Sequence, residues 1–101
     1  MHRYVLAHYP GTRWEAGVAY VEQPGVMDHF TFMHGLAERG VLLAGGPFET
    51  DGEPVGMAII EAADLAAAEA LASEDASVRG GLLTVTVREW GPRMGRWLEV
   101  P

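Results

Sequence analysis

The sequence predicts a single α+β domain of the ferredoxin-like type, with strands and helices in the order βαββαβ. Strand-like and helix-like runs follow one another in that order, and pairs of glycine and proline separate them. The chain has 101 residues, which is enough for one core only. Because crossovers are right-handed, this order predicts a four-stranded antiparallel sheet with two helices on one face.

Glycine and proline delimit the first elements of the chain. Residues 3–9 are rich in β-branched and aromatic side chains and end at Pro10-Gly11, so they predict a strand. Residues 11–23 have no regular period and predict a long loop, which we expect to cover a pocket. Residues 26–39 predict a helix that ends at Gly40. Its predicted apolar stripe consists of Val26, Phe30, Met33 and Ala37.

The rest of the chain predicts three more strands and a second helix. Residues 41–48 form an apolar run that predicts a buried strand, interrupted by a tight turn at Gly45-Gly46-Pro47. A hairpin signal, Asp51-Gly52, then leads into the third strand. The predicted ranges are 55–61 for the third strand, 65–73 for the second helix and 82–90 for the fourth strand. Asp64 is expected to open the second helix, and apolar and polar residues alternate along the fourth strand. The domain is expected to span residues 3–91, followed by a tail at 92–101.

Composition and charge exclude several classes of function. The net charge is −7 and the arginines are scattered, whereas nucleic acid binding needs a clustered cationic surface. Cysteine is absent, so disulfides and thiolate chemistry are excluded. No apolar run approaches the roughly 18 residues of a membrane span, and the first residues do not have the pattern of a signal peptide. We therefore expect a cytoplasmic protein without nucleic acid or membrane partners.

The predicted topology brings several polar residues to one end of the sheet. His8 at the end of the first strand, His29 at the start of the first helix and Asp75 after the second helix should meet there. Gly46 and Pro47 at the end of the second strand are expected at the same end. A carboxylate beside an imidazole fixes its tautomer and stabilises its charged form, which suits a general acid or base. The alternative is that His29 is a packed core histidine.

Other candidate residues carry weaker signals. His8 and Trp14 lie where the pocket is predicted and could contact a ligand, although a packing role explains each of them equally well. The histidines lack the HxxxH and HxH spacings of metal sites, so no metal is predicted. Glycine motifs that bind phosphate groups are also missing. One face of the sheet lacks helices and should present Val, Leu and Ile, so we expect a homodimer through that open face.

Two signatures in the sequence resemble those of the YCII-related (YciI-like) family. The first has the form H-x6-L-x3-G-x-L-x3-GP and consists of His29, Leu36, Gly40, Leu42, Gly46 and Pro47. The second is the segment 68–90, in which an aspartate after a helix is followed by glycine and by a strand that ends in tryptophan. The resemblance spans residues 3–91.

The resemblance implies a dimeric α/β barrel without a cofactor and a His-Asp pair at His29 and Asp75. It also implies acid/base chemistry of the lyase, isomerase or dehydrochlorinase kind on a small aromatic or enolisable substrate. Ser77, two residues after Asp75, is also expected among the ligand contacts. The sequence departs from the family in three respects, because Ala76 replaces a proline, Ser77 replaces an aromatic residue and Val26 replaces an arginine that would anchor an anion. A non-catalytic ligand-binding or accessory domain, or a purely structural His-Asp pair, is the alternative.

Overall fold

A computed structural model describes residues 1–97, and residues 98–101 of the predicted tail lie outside the described residues. A four-stranded antiparallel sheet has the strand order β2-β3-β1-β4. Its strands are β1 (His2–Pro10), β2 (Leu42–Pro47), β3 (Gly56–Ala62) and β4 (Leu83–Trp90). The helices are α1 (Val26–Glu38), α2 (Leu65–Ala72) and α3 (Ala76–Arg79), with a 3-10 turn at Tyr20–Glu22. The predicted ferredoxin-like fold is confirmed.

The two faces of the sheet differ in burial, as the central strand β1 shows. Alternate residues of a strand point to opposite sides, and here Tyr4, Leu6 and His8 are buried while their neighbours are half-buried. The buried side carries the helices and the main core. That core joins the sheet to α1 and α2 through eight buried residues: Tyr4, Leu6, Leu36, Ala58, Ile60, Ala62, Ala68 and Ala72.

Helix α1 buries a slightly different stripe from the predicted one. Its buried residues are Val26, His29 and Leu36, whereas Ala37 is exposed. The larger Leu36 fills the space above the sheet, since it removes more apolar area from water than alanine could. The predicted end of the helix is correct, because Gly40 follows it with a φ of 75° that disfavours other residues. His29 thus lies on the stripe that faces the sheet.

The prediction of a buried strand over residues 41–48 that is interrupted by a tight turn is wrong. Gly45, Gly46 and Pro47 belong to the strand itself, which lies at the edge of the sheet and is largely exposed. An edge strand tolerates proline because one side of its backbone makes no ladder bonds. A side chain at Gly45 would lie 2.6 Å from the Cε atom of Met33 in α1. The glycine therefore allows the helix and the edge strand to approach each other closely.

Helix α3 was not predicted, and three helices rather than two lie on the sheet. Helix α2 begins as expected at Asp64, whose side chain accepts a hydrogen bond of 2.8 Å from the Ala67 backbone nitrogen. After α2 the chain makes one further helical turn over residues 76–79, with Asp75 as its N-cap. Within residues 1–97, no helix has the length and hydropathy needed to cross a membrane.

The opposite face of the sheet is less apolar than predicted. Val5 and Ile59 are paired at its centre, as expected, but Thr84, Thr86 and Arg88 of β4 are exposed on the same side. Strand β4 alternates between apolar and polar residues, and its polar set points to this face. A cavity of about 700 Å³ lies there between the sheet and residues 92–97, and it is lined by Ile59, Trp90, Met94 and Trp97 among others.

The burial of Leu36 leads to a prediction about stability. Leu36 is 1% exposed within the core, so Leu36→Ala leaves a cavity and should lower the free energy of unfolding by about 2–5 kcal/mol in urea titrations. Leu65→Ala is the control, since Leu65 is largely exposed at the start of α2. Equal losses in both variants would contradict the packing described here.

Candidate active site

His29 and Asp75 form a buried hydrogen-bonded pair, although 46 positions separate them in the sequence. The Nδ1 atom of His29 lies 2.6 Å from Oδ2 of Asp75. His29 is 5% exposed and Asp75 is 0% exposed. Helix α1 supplies the imidazole from its first turn, and the N-cap of α3 supplies the carboxylate. The two helices therefore meet through this pair.

The second oxygen of Asp75 is also satisfied. Its Oδ1 atom accepts hydrogen bonds from the Ser77 backbone nitrogen at 2.9 Å and from the Ser77 hydroxyl at 2.7 Å. Burial by itself raises the pKa of Asp75, but the hydrogen bonds from His29 and Ser77 more than offset this and hold the pKa below its ordinary value. Each oxygen of the Asp75 carboxylate therefore accepts at least one hydrogen bond.

His8 lies directly against His29, with ring centroids 4.6 Å apart in an edge-on arrangement. It is 1% exposed, and its Nε2 atom has no hydrogen-bond partner among residues 1–97. Burial, followed by the neighbouring His29, lowers the pKa of His8 to about 4, although Asp75 acts in the opposite direction. His8 is consequently neutral at physiological pH.

His8, His29 and Asp75 are also the residues that could hold a metal ion in the described part of the chain. Their nearest donor atoms all lie within 4.8 Å of one another. However, Asp75 already accepts hydrogen bonds on both oxygens, and one of these bonds engages Nδ1 of His29. A metal ion would have to break the His29–Asp75 bond or use only Nε2 atoms, so the present arrangement suits proton transfer better than ligation.

A cavity of about 250 Å³ opens beside His29, between α1 and the end of β2. Besides His29, most of its lining is apolar or backbone, which favours a small, largely apolar molecule. The lining residues are Tyr20, His29, Phe30, Met33, His34, Gly45, Gly46, Pro47 and Met57. The cavity thus contains three residues that the sequence indicated, namely His29, Gly46 and Pro47.

A wider groove of about 680 Å³ adjoins this cavity, and Tyr20 and Pro47 line both spaces. Trp14 lines the groove and packs on Tyr20, with ring centroids 5.7 Å apart. The predicted covering loop at residues 11–23 forms one side of the groove, and the β2–β3 connection forms the other. A molecule that enters the groove would reach His29 by passing Tyr20 and Pro47.

The buried side chain of Gln23 determines the path of the covering loop. Its Oε1 atom accepts a hydrogen bond from the Glu15 backbone nitrogen at 2.9 Å. Its Nε2 atom donates to the Glu15 and Val18 carbonyl oxygens, both at 2.8 Å. These three bonds tie the end of the loop to Glu15 and Val18 and so fix the segment between them, which carries Tyr20.

The remaining candidates occupy different places around the pair. His8 lies beneath His29, and Ser77 lies behind Asp75, where neither lines the cavity. Trp14 reaches only the adjoining groove. The sequence reasoning missed the other six lining residues, which are Tyr20, Phe30, Met33, His34, Gly45 and Met57. Tyr20 belongs to an aperiodic loop, so only its aromatic character could have drawn attention to it.

A solved structure with the same fold is the 5-chloro-2-hydroxyhydroquinone dehydrochlorinase of Burkholderia phenoliruptrix in complex with 2,5-dihydroxybenzoquinone. The TM-score is 0.63 at 16% sequence identity, over 88% of this chain and 93% of that chain. At this identity the similarity shows the fold alone. Among curated proteins, none matches this sequence.

The family itself is shown by a match along most of the sequence. The profile of the YCII-related domain matches residues 3–91, which include all of α1, α2, α3 and every strand except the first residue of β1. The match therefore covers both helices that carry the His29–Asp75 pair. The chain belongs to the YCII-related domain family.

Proposed function

We propose that the protein is an enzyme in which His29, oriented by Asp75, moves a proton on a small ring-shaped or enolisable substrate. The observation that carries the proposal is the buried 2.6 Å bond between His29 Nδ1 and Asp75 Oδ2 at the wall of a cavity. Catalysis without a cofactor and a cytoplasmic location are parts of the same proposal.

The geometry of the pair suggests how the proton would move. An ionised Asp75 accepts a hydrogen bond from Nδ1–H of His29, so the neutral imidazole has its free lone pair on Nε2. Nε2 can then remove a proton from a carbon or hydroxyl group of the substrate, and the carboxylate stabilises the imidazolium that results. In isomerisation the imidazolium returns the proton to another atom of the ring; in elimination the electron pair of the broken bond to hydrogen expels the leaving group as an anion, and the imidazolium gives its proton to water. No covalent intermediate is required.

His8 supports this assignment by remaining neutral. Two imidazoles at a ring distance of 4.6 Å compete for one proton, because two adjacent positive charges repel each other in a buried site. The lowered pKa of His8 leaves His29, which holds the carboxylate, as the imidazole that takes up the proton. In this proposal Nε2 of His29 is the single acceptor for the proton of the substrate.

The cavity suggests the class of substrate. About 250 Å³ accommodates one ring with small substituents, and Phe30, Met33 and Met57 provide apolar contact. The related dehydrochlorinase acts, by its name, on a chlorinated hydroxyhydroquinone. We propose elimination or isomerisation on a comparable hydroxylated ring. Since Val26 replaces the arginine of the family pattern, a neutral ring suits this chain better than an anionic one.

A ligand-binding or accessory role is the second candidate. It is favoured by the burial of His29, which is 5% exposed and therefore offers little surface to a reacting molecule. In that case the pair would organise the cavity without proton transfer. The protein would then bind small rings and leave them unchanged.

We also propose that the functional unit is a homodimer formed through the open face of the sheet. The apolar centre of that face, at Val5 and Ile59, and the exposed Trp90 support this proposal. The polar residues of β4 would then lie toward the rim of the interface, as is usual for such surfaces.

The proposed catalysis can be tested by proton exchange and elimination. Small hydroxylated and chlorinated rings, including 5-chloro-2-hydroxyhydroquinone, are incubated with the protein in D₂O. NMR then follows deuterium uptake, and an ion electrode follows chloride release. Both His29→Asn and Asp75→Asn should lower the rate by about 10²–10⁴-fold, because the first removes the base and the second removes the charge that fixes its tautomer.

The control for this experiment is His2→Gln, which changes an exposed histidine that is remote in the sequence from both helices. It should react like the unmodified protein. Turnover that is unchanged in His29→Asn would refute the catalytic role. Saturable binding without turnover by the unmodified protein would favour the ligand-binding alternative.

Acid should destabilise the protein through His8. The unfolded chain protonates His8 at its ordinary pKa of 6.5, whereas the folded chain does so only at about 4. The contribution of neutral His8 to the free energy of unfolding is therefore complete above pH 6.5 and is lost as the pH falls towards 4. The free energy of unfolding should fall by about 2 kcal/mol between pH 7 and pH 5. In urea titrations at both pH values, His8→Gln should lack this loss and His2→Gln should retain it. A loss of equal size in His8→Gln would show that other groups cause it.

The dimer can be tested by light scattering coupled to size exclusion. The unmodified protein should show twice the chain mass of 10.9 kDa. Ile59→Arg places a charge at the centre of the open face and should give the mass of one chain. Leu65→Arg, on the helical side, should remain dimeric. A single-chain mass for the unmodified protein would refute the dimer.

A further inference from the structure

Tyr20 occupies a place that neither the family match nor the His29–Asp75 pair explains. Its ring lines the cavity beside His29 as well as the adjoining groove, and the two ring centroids are 6.1 Å apart. The ring also covers the backbone of Gly56 at the start of β3. A Cβ atom at Gly56 would lie 3.1 Å from Tyr20 Cε2 and 3.4 Å from its hydroxyl oxygen. The hydroxyl therefore lies at the end of the sheet where β1 presents His8, the pairing partner of Gly56.

Several contacts hold Tyr20 in this place. Trp14 packs against its ring, and the Gln23 backbone nitrogen donates a hydrogen bond of 3.2 Å to its carbonyl oxygen. Gln23 also holds the loop through its three side-chain bonds to Glu15 and Val18. The absence of a side chain at Gly56 provides the space for the ring. A side chain fixed on both sides in this way loses little entropy when it binds a ligand.

We propose that Tyr20 is a second substrate-contacting residue, whose hydroxyl donates a hydrogen bond to one oxygen of a substrate that presents another polar group to His29. This inference rests on the proposed function of the cavity and adds to it the class of substrate. The preferred molecule is a small ring that carries two oxygen substituents.

The chemistry of the lining supports this role. Phe30, Met33, Met57, Pro47 and the glycines of the cavity carry no side-chain proton donor. Tyr20 supplies a hydroxyl, and the other polar side chains of the lining are the imidazoles of His29 and His34. Burial, and then the negative charge of Asp75, raise the pKa of Tyr20 above its ordinary value. The phenol therefore stays protonated and donates while His29 Nε2 accepts.

The experiment compares the affinities of two probes, hydroquinone and phenol, for the full chain. NMR titrations follow the backbone amides of Gly45 and Gly46, which line the cavity. Hydroquinone can bond to Tyr20 and His29 at once, so it should bind about 10-fold more tightly than phenol, the gain of about one hydrogen bond. In Tyr20→Phe, which keeps the ring and its packing, this advantage should disappear.

The matched control is Tyr9→Phe, which makes the same chemical change on strand β1, outside the cavity lining. This variant should still bind hydroquinone about 10-fold more tightly than phenol. Retention of the advantage in Tyr20→Phe would overturn the inference, as would equal affinities in the unmodified protein or no saturable binding.

His29→Asn separates the two proposals. If it weakens both probes while Tyr20→Phe changes nothing, the cavity stands as the site and the role of Tyr20 fails. If it leaves both affinities unchanged, the proposed function fails as well.

Discussion

The structure depends most on the solvation of one buried carboxylate. Asp75 is inaccessible to water, and an ionised carboxylate in such a place costs several kcal/mol unless donors replace its hydration. His29 provides one donor and Ser77 provides two. To do so, α1 must turn His29 toward the sheet and the chain must form α3 immediately after Asp75. The orientation of one helix and the presence of another thus both follow from this single group.

The same burial gives the two neighbouring imidazoles different properties. His29 has a carboxylate on Nδ1, whereas His8 has an Nε2 atom without any partner. A low-dielectric site enlarges this difference, because each charge interacts strongly with its neighbours and weakly with solvent. An asymmetric pair of this kind holds a proton at one defined atom, which is the property that acid and base catalysts share.

Local patterns were sufficient for most of the fold, and long-range contacts account for what they missed. Strand alternation, the glycine that ends α1 and the Asp64 cap predicted the elements, and their directions alone brought His29 and Asp75 together. The exposed edge position of β2 depends on strand order, which an apolar run at 41–43 does not reveal. Helix α3 has only four residues, too few to show a period. Tyr20 was missed because the hydrogen bonds of Gln23, and not a local pattern, fix the loop that carries it.

The three hydrogen bonds of Gln23 also have a consequence for protein engineering. All of them involve backbone atoms, so they hold the path of the chain at Glu15 and Val18 and do not depend on which side chains lie between. The side chains on this side of the groove can therefore be redesigned while the path of the backbone is kept, provided that Gln23 stays in place. The His29–Asp75 pair is carried by α1 and by the N-cap of α3, outside this segment. The loop side of the groove and the His29–Asp75 pair therefore lie in different segments of the chain.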